Sequence, residues 1–160
     1  MSSARTIVDR SEWVAALIAV PSQRLLETTR QLSVNWTLTP RSVPQSGLGM
    51  LKMNDGALDQ PFYLGEFPLS SVHLEVRTDQ GDVAEGAAQV MDDRMEIAEA
   101  LAICDAVLSA QLPGWEQIAD LVDQGVHQRA AARRERQLML SATRVDFSLL
   151  DDVGENDAEY

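Results

Sequence analysis

Residues 72–91 read VHLEVRTDQGDVAEGAAQVM, and this stretch decides the fold. Val72, Leu74 and Val76 alternate with His73, Glu75 and Arg77, so in an extended chain the first three share one face and the last three the other. Such alternation predicts a strand packed on one side and wet on the other. Thr78-Asp79-Gln80-Gly81 supplies turn chemistry, and a second strand-like run over residues 82–91 follows at once, so the two are expected to pair as an antiparallel hairpin.

Working outward toward the N-terminus, further short strands are predicted at 62–67, 48–53 and 34–39, separated by Gly, Pro, Asn and Asp clusters. None of these gaps is long enough for a crossover helix, so the sheet is expected to be mainly antiparallel. Helices bracket it. Asp9 and Glu12 have capping-box spacing ahead of Trp13, Leu17 and Val20, and Pro21 interrupts. Ser22 then stands as the cap of a second helix with Leu25, Thr29 and Leu32 on one face. Asp93 and Glu96 repeat the capping-box spacing before Ile97, Leu101, Cys104 and Leu108, and Pro113-Gly114 ends that helix. A fourth helical stretch is expected from Trp115 to about Leu140, with Gly125 as an interruption. The fold class that follows is α+β, a central mainly antiparallel sheet flanked by N-terminal and C-terminal helices. One domain is expected over residues 1–150, followed by an acidic tail, DDVGENDAEY at 151–160, with too little to bury to hold a fixed structure.

Charge narrows the partners. The chain of 160 residues carries a net charge of -12 at pH 7, and it is uneven: residues 1–80 hold seven basic and eight acidic groups, residues 81–160 six basic and seventeen acidic. Nucleic acid and anionic membranes would repel such a surface, so neither is expected as a partner. No apolar run approaches the ~20 residues of a membrane span, and MSSARTIVDR at the N-terminus lacks the apolar core of a secretory signal. A lone cysteine forms no intrachain disulfide, which fits a cytoplasmic location.

A search for chemistry finds fragments rather than a site. There is neither a Gly-Lys-Ser/Thr phosphate loop nor a strand-bounded G-x-G-x-x-G, and His73 and His127 have no Cys or His at ligand spacing. No metal, cofactor or catalytic residue is therefore expected from this chain alone. Cys104 lies on an apolar stripe with no nearby base in sequence, the position of a packing residue. Asp92, Asp93, Glu96 and Glu99 are accounted for by capping and solvation. Arg129, Arg133 and Arg136 fall on one face of a helix, where their guanidinium groups suit either a triphosphate or an acidic partner surface, or remain a solvated face. Near the end, SATRVDF at residues 141–147 reads as a terminal strand. Arg144 and Asp146 lie on its polar face and Val145 and Phe147 on its apolar one, so the charged pair is either the solvated face of an edge strand or a candidate contact with a partner or ligand.

This C-terminal run resembles the signature, roughly ATRVDFF, of the PhnG family of the bacterial carbon-phosphorus lyase system. Other pieces resemble the family in the same order: RSEWVAAL with Arg10 and Trp13, GLGML at Gly47 to Leu51, FYLGE at Phe62 to Glu66, and IAEALAICDAVL from Ile97 to Leu108. Two places depart from it. The chain has Phe67-Pro68-Leu69-Ser70-Ser71 where the family continues Thr-Val-Thr-Arg, and Asp92-Asp93-Arg94 where the family often has Gly-Arg-Asp. The resemblance implies an accessory subunit of an assembly with PhnI-like, PhnH-like and PhnJ-like subunits. With PhnI, PhnH and a PhnL-like protein, such a subunit supports displacement of adenine from MgATP by a phosphonate, giving a ribose 1-phosphonate 5-triphosphate. MgATP is then a substrate of the complex, and the nucleosidase chemistry belongs mainly to the PhnI-like subunit. The rival expectations are a free-standing acidic adaptor protein and an independent phosphate-binding module built on Arg129, Arg133 and Arg136.

Overall fold

A computed structural model describes residues 8–143. The elements run α1 (Arg10–Leu17), α2 (Ser22–Leu32), β1 (Thr37–Pro40), β2 (Gln45–Asn54), β3 (Pro61–Arg77), β4 (Val83–Val90), α3 (Met95–Ala110) and α4 (Trp115–Ala142). Every strand pairing is antiparallel, and β3 is the spine: β1 and β2 pair with it in succession, and β4 pairs with it as well. The fold is thus a central antiparallel sheet between N-terminal and C-terminal helices. By contacts the chain divides into two compact units, residues 1–128, which hold the sheet and the core, and residues 129–160.

The deciding hairpin is formed as its pattern requires. Val72, Leu74 and Val76 are buried, His73 and Glu75 are partly covered and Arg77 is exposed. The Thr78 amide donates to the Asp82 carbonyl at 2.9 Å and the Gly81 amide to the Thr78 carbonyl at 3.1 Å, closing the turn into β4. On the outer side of the sheet Arg41 is ion-paired with Glu75 and, at 3.0 Å, with Glu85, while His73 lies 3.4 Å from Glu85. Arg41 and Glu85 are about half-exposed, so the Arg41 pairs each stabilise by no more than ~1 kcal/mol.

α3 is the centre of the core. Its residues from Ile97 to Val107 are buried almost without a break, Glu99 being the exception, so this helix is enclosed by the sheet on one side and by other helices around it rather than presenting one stripe. Its alanines make that possible by letting backbones approach. A Cβ on Gly86 of β4 would stand 2.1 Å from the Ala102 carbonyl oxygen and 2.6 Å from the Ala106 nitrogen. Gly125 has the same role in α4, where a Cβ would stand 1.9 Å from the carbonyl oxygen of Ala16. The expected helix interruption at Gly125 is therefore not found; the glycine is there because α1 crosses at that point.

Several boundaries differ from the sequence reading. The runs at 62–67 and 72–77 are one strand of 17 residues, which continues through Pro68. Beyond the last β4 pair, Ser70 with Val90, this edge of β3 is unpaired among the described residues, the position in which a sheet tolerates a residue without an N–H. β1 begins at Thr37 rather than Val34, because the Trp36 amide donates to the Ser33 carbonyl and holds the preceding residues in a turn. Helices α1 and α3 begin where expected, yet neither is capped by a side-chain hydrogen bond from Asp9 or Asp93; the residue before α3 is Arg94. Finally, Ser141 and Ala142 of the expected SATRVDF strand are helical. α4 propagates its own hydrogen bonds through them, with the Ser141 hydroxyl donating to the Leu138 carbonyl at 2.8 Å.

Candidate functional site

Two of the charged side chains that the sequence leaves without an assigned neighbour, Asp105 and Arg10, are engaged with one another in the folded chain. Asp105 lies on α3, nine-tenths buried, and faces Arg10 from the first turn of α1. The Arg10 Nε donates to Oδ1 at 2.8 Å and Nη2 to Oδ2 at 2.6 Å, a two-pronged pairing, and the Ala87 amide of β4 donates to Oδ2 at 3.0 Å. One carboxylate thus ties α1 and the sheet to the central helix. The hydrogen bonds that Arg10 donates to Asp105, together with the negative charge of that carboxylate, raise the Arg10 pKa further above its usual value. In the same segment the Trp13 indole N–H donates to the Val8 carbonyl at 3.1 Å. The RSEWVAAL and ICDAVL runs, far apart in sequence, are therefore two halves of one structural clasp.

A second carboxylate pair closes the β4–α3 connection. Arg94 donates from Nε at 3.0 Å and from Nη2 at 2.7 Å to Asp92, and the Arg94 amide donates to Asp92 Oδ1 at 2.8 Å. These bonds favour the charged form, side chain first and backbone second, and hold the Asp92 carboxyl down to about 2. Since the folded value lies below the ordinary one, the pair's stabilisation is present above about pH 4 and disappears as pH falls through about 2. A carbon-detected titration of the Asp92 carboxyl should have its midpoint near 2, and Arg94→Gln should return it toward the ordinary carboxylate range; an ordinary midpoint in the unsubstituted protein would show the clasp to be open in solution. The Ser70 hydroxyl, at one of the family departures, donates to the Asp92 carbonyl at 2.7 Å, so both departures meet at this one connection.

Cys104 is fully buried. Burial pushes its thiol well up from the usual range, and the neighbouring Asp105 charge adds to the rise, so almost no thiolate exists at neutral pH. Thiol reagents should modify the native protein no faster than it unfolds, while Cys104→Ala should cost about 1–2 kcal/mol of stability. Rapid labelling of the folded chain would contradict this packing role.

Arg129, Arg133 and Arg136 are exposed on α4, where their spacing gives them a common side of the helix. Arg144 and Asp146 lie outside the described residues. Among the described residues no three His, Cys, Asp or Glu side chains converge as metal ligands, and no helix is long and apolar enough to cross a membrane.

One surface feature is not revealed by alternation. Among the described residues, β3 from Leu69 back to Pro61 pairs with β2 alone, making a two-stranded ribbon whose residues are nearly all exposed. Cross-strand neighbours share a face, so Met53 with Phe62 marks one side and Lys52 with Tyr63 the other. Between Met50 and Lys52 the register shifts, leaving Leu64 and Gly65 of β3 opposite the single Leu51. The GLGML and FYLGE runs are the two strands of this ribbon. Their sequence signal was the lack of a polar face, since GLGMLKM places apolar residues on both parities.

The comparisons with known proteins agree with these pieces. A family model described as phosphonate metabolism protein PhnG matches residues 8–151, which takes in the Arg10–Asp105 clasp, both strands of the ribbon, the arginine helix and Arg144 and Asp146. A search of curated proteins finds no match. With a match over nearly its whole length, the chain belongs to the PhnG family of phosphonate metabolism proteins.

Proposed function

We propose that the chain is an accessory subunit of the carbon-phosphorus lyase core complex, supporting transfer of a phosphonate onto the ribose C1 of MgATP with release of adenine. The observation that carries this reading is the family match across residues 8–151. The uses of its own reactive groups support it: the lone thiol is enclosed, Asp105 is held by Arg10 and a backbone amide, and Asp92 is held by Arg94. A general base or nucleophile needs a free proton site within reach of substrate, and these groups are committed to structure. The phosphonate and MgATP are accordingly assigned to a site centred on a PhnI-like subunit, with PhnH-like and PhnJ-like subunits, and a PhnL-like protein, completing the assembly. Arg129, Arg133, Arg136 and the Arg144 and Asp146 pair are the charged groups assigned to contact with a neighbouring subunit or with the triphosphate.

Co-expressed with a PhnI-like subunit, the chain should elute as one complex. Purified alone, it should release no adenine from MgATP with a phosphonate present. Separate elution of the two proteins at micromolar concentration would favour a free-standing acidic adaptor. Turnover by the single chain, abolished by a point change within it, would make it an enzyme in its own right.

A further inference from the structure

Monomeric proteins rarely expose a contiguous apolar patch larger than a few hundred Å2, and a two-stranded hairpin is marginally stable by itself in water. The β2–β3 ribbon carries an apolar patch on each of its two faces, where a strand pair at a protein surface ordinarily keeps one face polar. Leu48, Met50 and Tyr63 lie on one face, Met53, Phe62 and Leu64 on the other, and all six are between 42% and 69% exposed. At roughly 200 Å2 for a fully exposed large side chain, these six present on the order of 700 Å2 over the two faces together, about half on each, so only an occupant that covers both faces approaches the ~800 Å2 that one partner contributes to a standard protein interface. Phe67 reinforces the base of the ribbon by lying across Gly49, where a Cβ would come within 2.8 Å of the ring.

Charge says what covers it. The ribbon strands carry Lys52 and Glu66, of opposite sign, and the turn that joins them adds Asp55 and Asp59, within a chain of net charge -12. A second copy would bring another -12 to the same place and, joined face to face, would still leave the opposite apolar face of each ribbon in water. A cleft that closes on both faces buries all six side chains and meets only the two aspartates of the tip and one charge of each sign on the strands, rather than the acidic remainder. We infer that the ribbon is a docking arm that inserts between two walls of an apolar cleft on a different protein chain, one without excess negative charge at its rim. This inference rests on the reading of the chain as a subunit of a larger assembly, and it names the surface that holds it there.

The test uses the full chain co-expressed with the PhnI-like, PhnH-like and PhnJ-like subunits. Two double variants, Leu48→Lys with Tyr63→Lys and Phe62→Lys with Leu64→Lys, charge one face each, and Thr39→Lys on β1 serves as a surface control. Each double variant should weaken association at least tenfold, the control should not, and the melting temperature of each lone chain should stay within about 3 °C of the unsubstituted protein. Failure of the unsubstituted chain to associate would overturn the subunit reading. Association of the unsubstituted chain, retained by both double variants, would overturn the arm alone, and loss from one face only would overturn the two-walled cleft. An unsubstituted chain that is dimeric by itself and monomeric as either variant would assign the ribbon to a second copy. A large fall in melting temperature would assign it to a segment of this chain. Either result overturns the inference.

Discussion

Gly86→Ala should destabilise the protein by about 3 kcal/mol, lowering the melting temperature by several degrees and accelerating unfolding. The added methyl would stand 2.1 Å from the Ala102 carbonyl oxygen, 2.6 Å from the Ala106 nitrogen and 2.9 Å from the Ala106 Cβ. None of these is the far end of a flexible side chain; two are backbone atoms of the helix at the centre of the core. To admit the methyl, β4 and α3 must separate, which loosens the contacts of Val76, Val90 and Val107 together. Overpacking of a dense core typically costs ~1–3 kcal/mol, and a rigid helix backbone places this site at the upper end. Gly47→Ala is the matched control, since a Cβ there meets nothing within 4 Å, and it should change stability by no more than about 0.5 kcal/mol. Equal, small effects at both positions in denaturant titrations would mean that the close approach of β4 to α3 is not present in solution.

Asp105→Ala should cost about 2–3 kcal/mol. It removes two charge-assisted bonds from Arg10 and leaves the Ala87 amide without an acceptor inside the packed β4–α3 contact. Arg10→Ala should cost less, about 1 kcal/mol, because the arginine side chain is 61% exposed whereas that of Asp105 is 10% exposed. The asymmetry is the distinguishing result: the carboxylate holds the sheet amide as well as the arginine, so the two variants should not be equivalent. A double-mutant cycle with equal single costs would reduce the clasp to an ordinary surface ion pair.

The parts legible in the sequence were those with a period. Val72, Leu74 and Val76 announced a half-buried strand, and the turn at residues 78–81 announced its partner. The helical spacing of Ile97, Leu101 and Cys104 located α3, although only packing reveals that the helix is enclosed on most of its circumference. What sequence spacing does not carry is contact between distant segments. Nothing near Arg10 points to Asp105, 95 residues away, and nothing near Gly125 points to the Ala16 carbonyl. Gly125 reads as a weak point within its helix because the neighbour that demands a missing side chain lies elsewhere in the chain, and nothing in the sequence singles out Gly86. Continuity of β3 through Pro68 was hidden for a related reason: proline argues against a central strand, and only the topology shows that β4 has already ended there. Of the candidate contact residues, Arg129, Arg133 and Arg136 take the helical spacing their sequence implies. The strand expected around Arg144 and Asp146 is helical at its first two residues, Ser141 and Ala142, and the pair itself lies outside the described residues.

The central claim is that this chain supports phosphonate transfer as part of an assembly rather than by chemistry of its own. The most direct measurement is adenine release from MgATP and methylphosphonate by the PhnI-like, PhnH-like, PhnJ-like and PhnL-like proteins, reconstituted with and without this chain. The account predicts adenine release, with matching formation of ribose 1-phosphonate 5-triphosphate, when the chain is included, and a loss of at least tenfold when it is left out. An equal rate of adenine release without it would contradict the account.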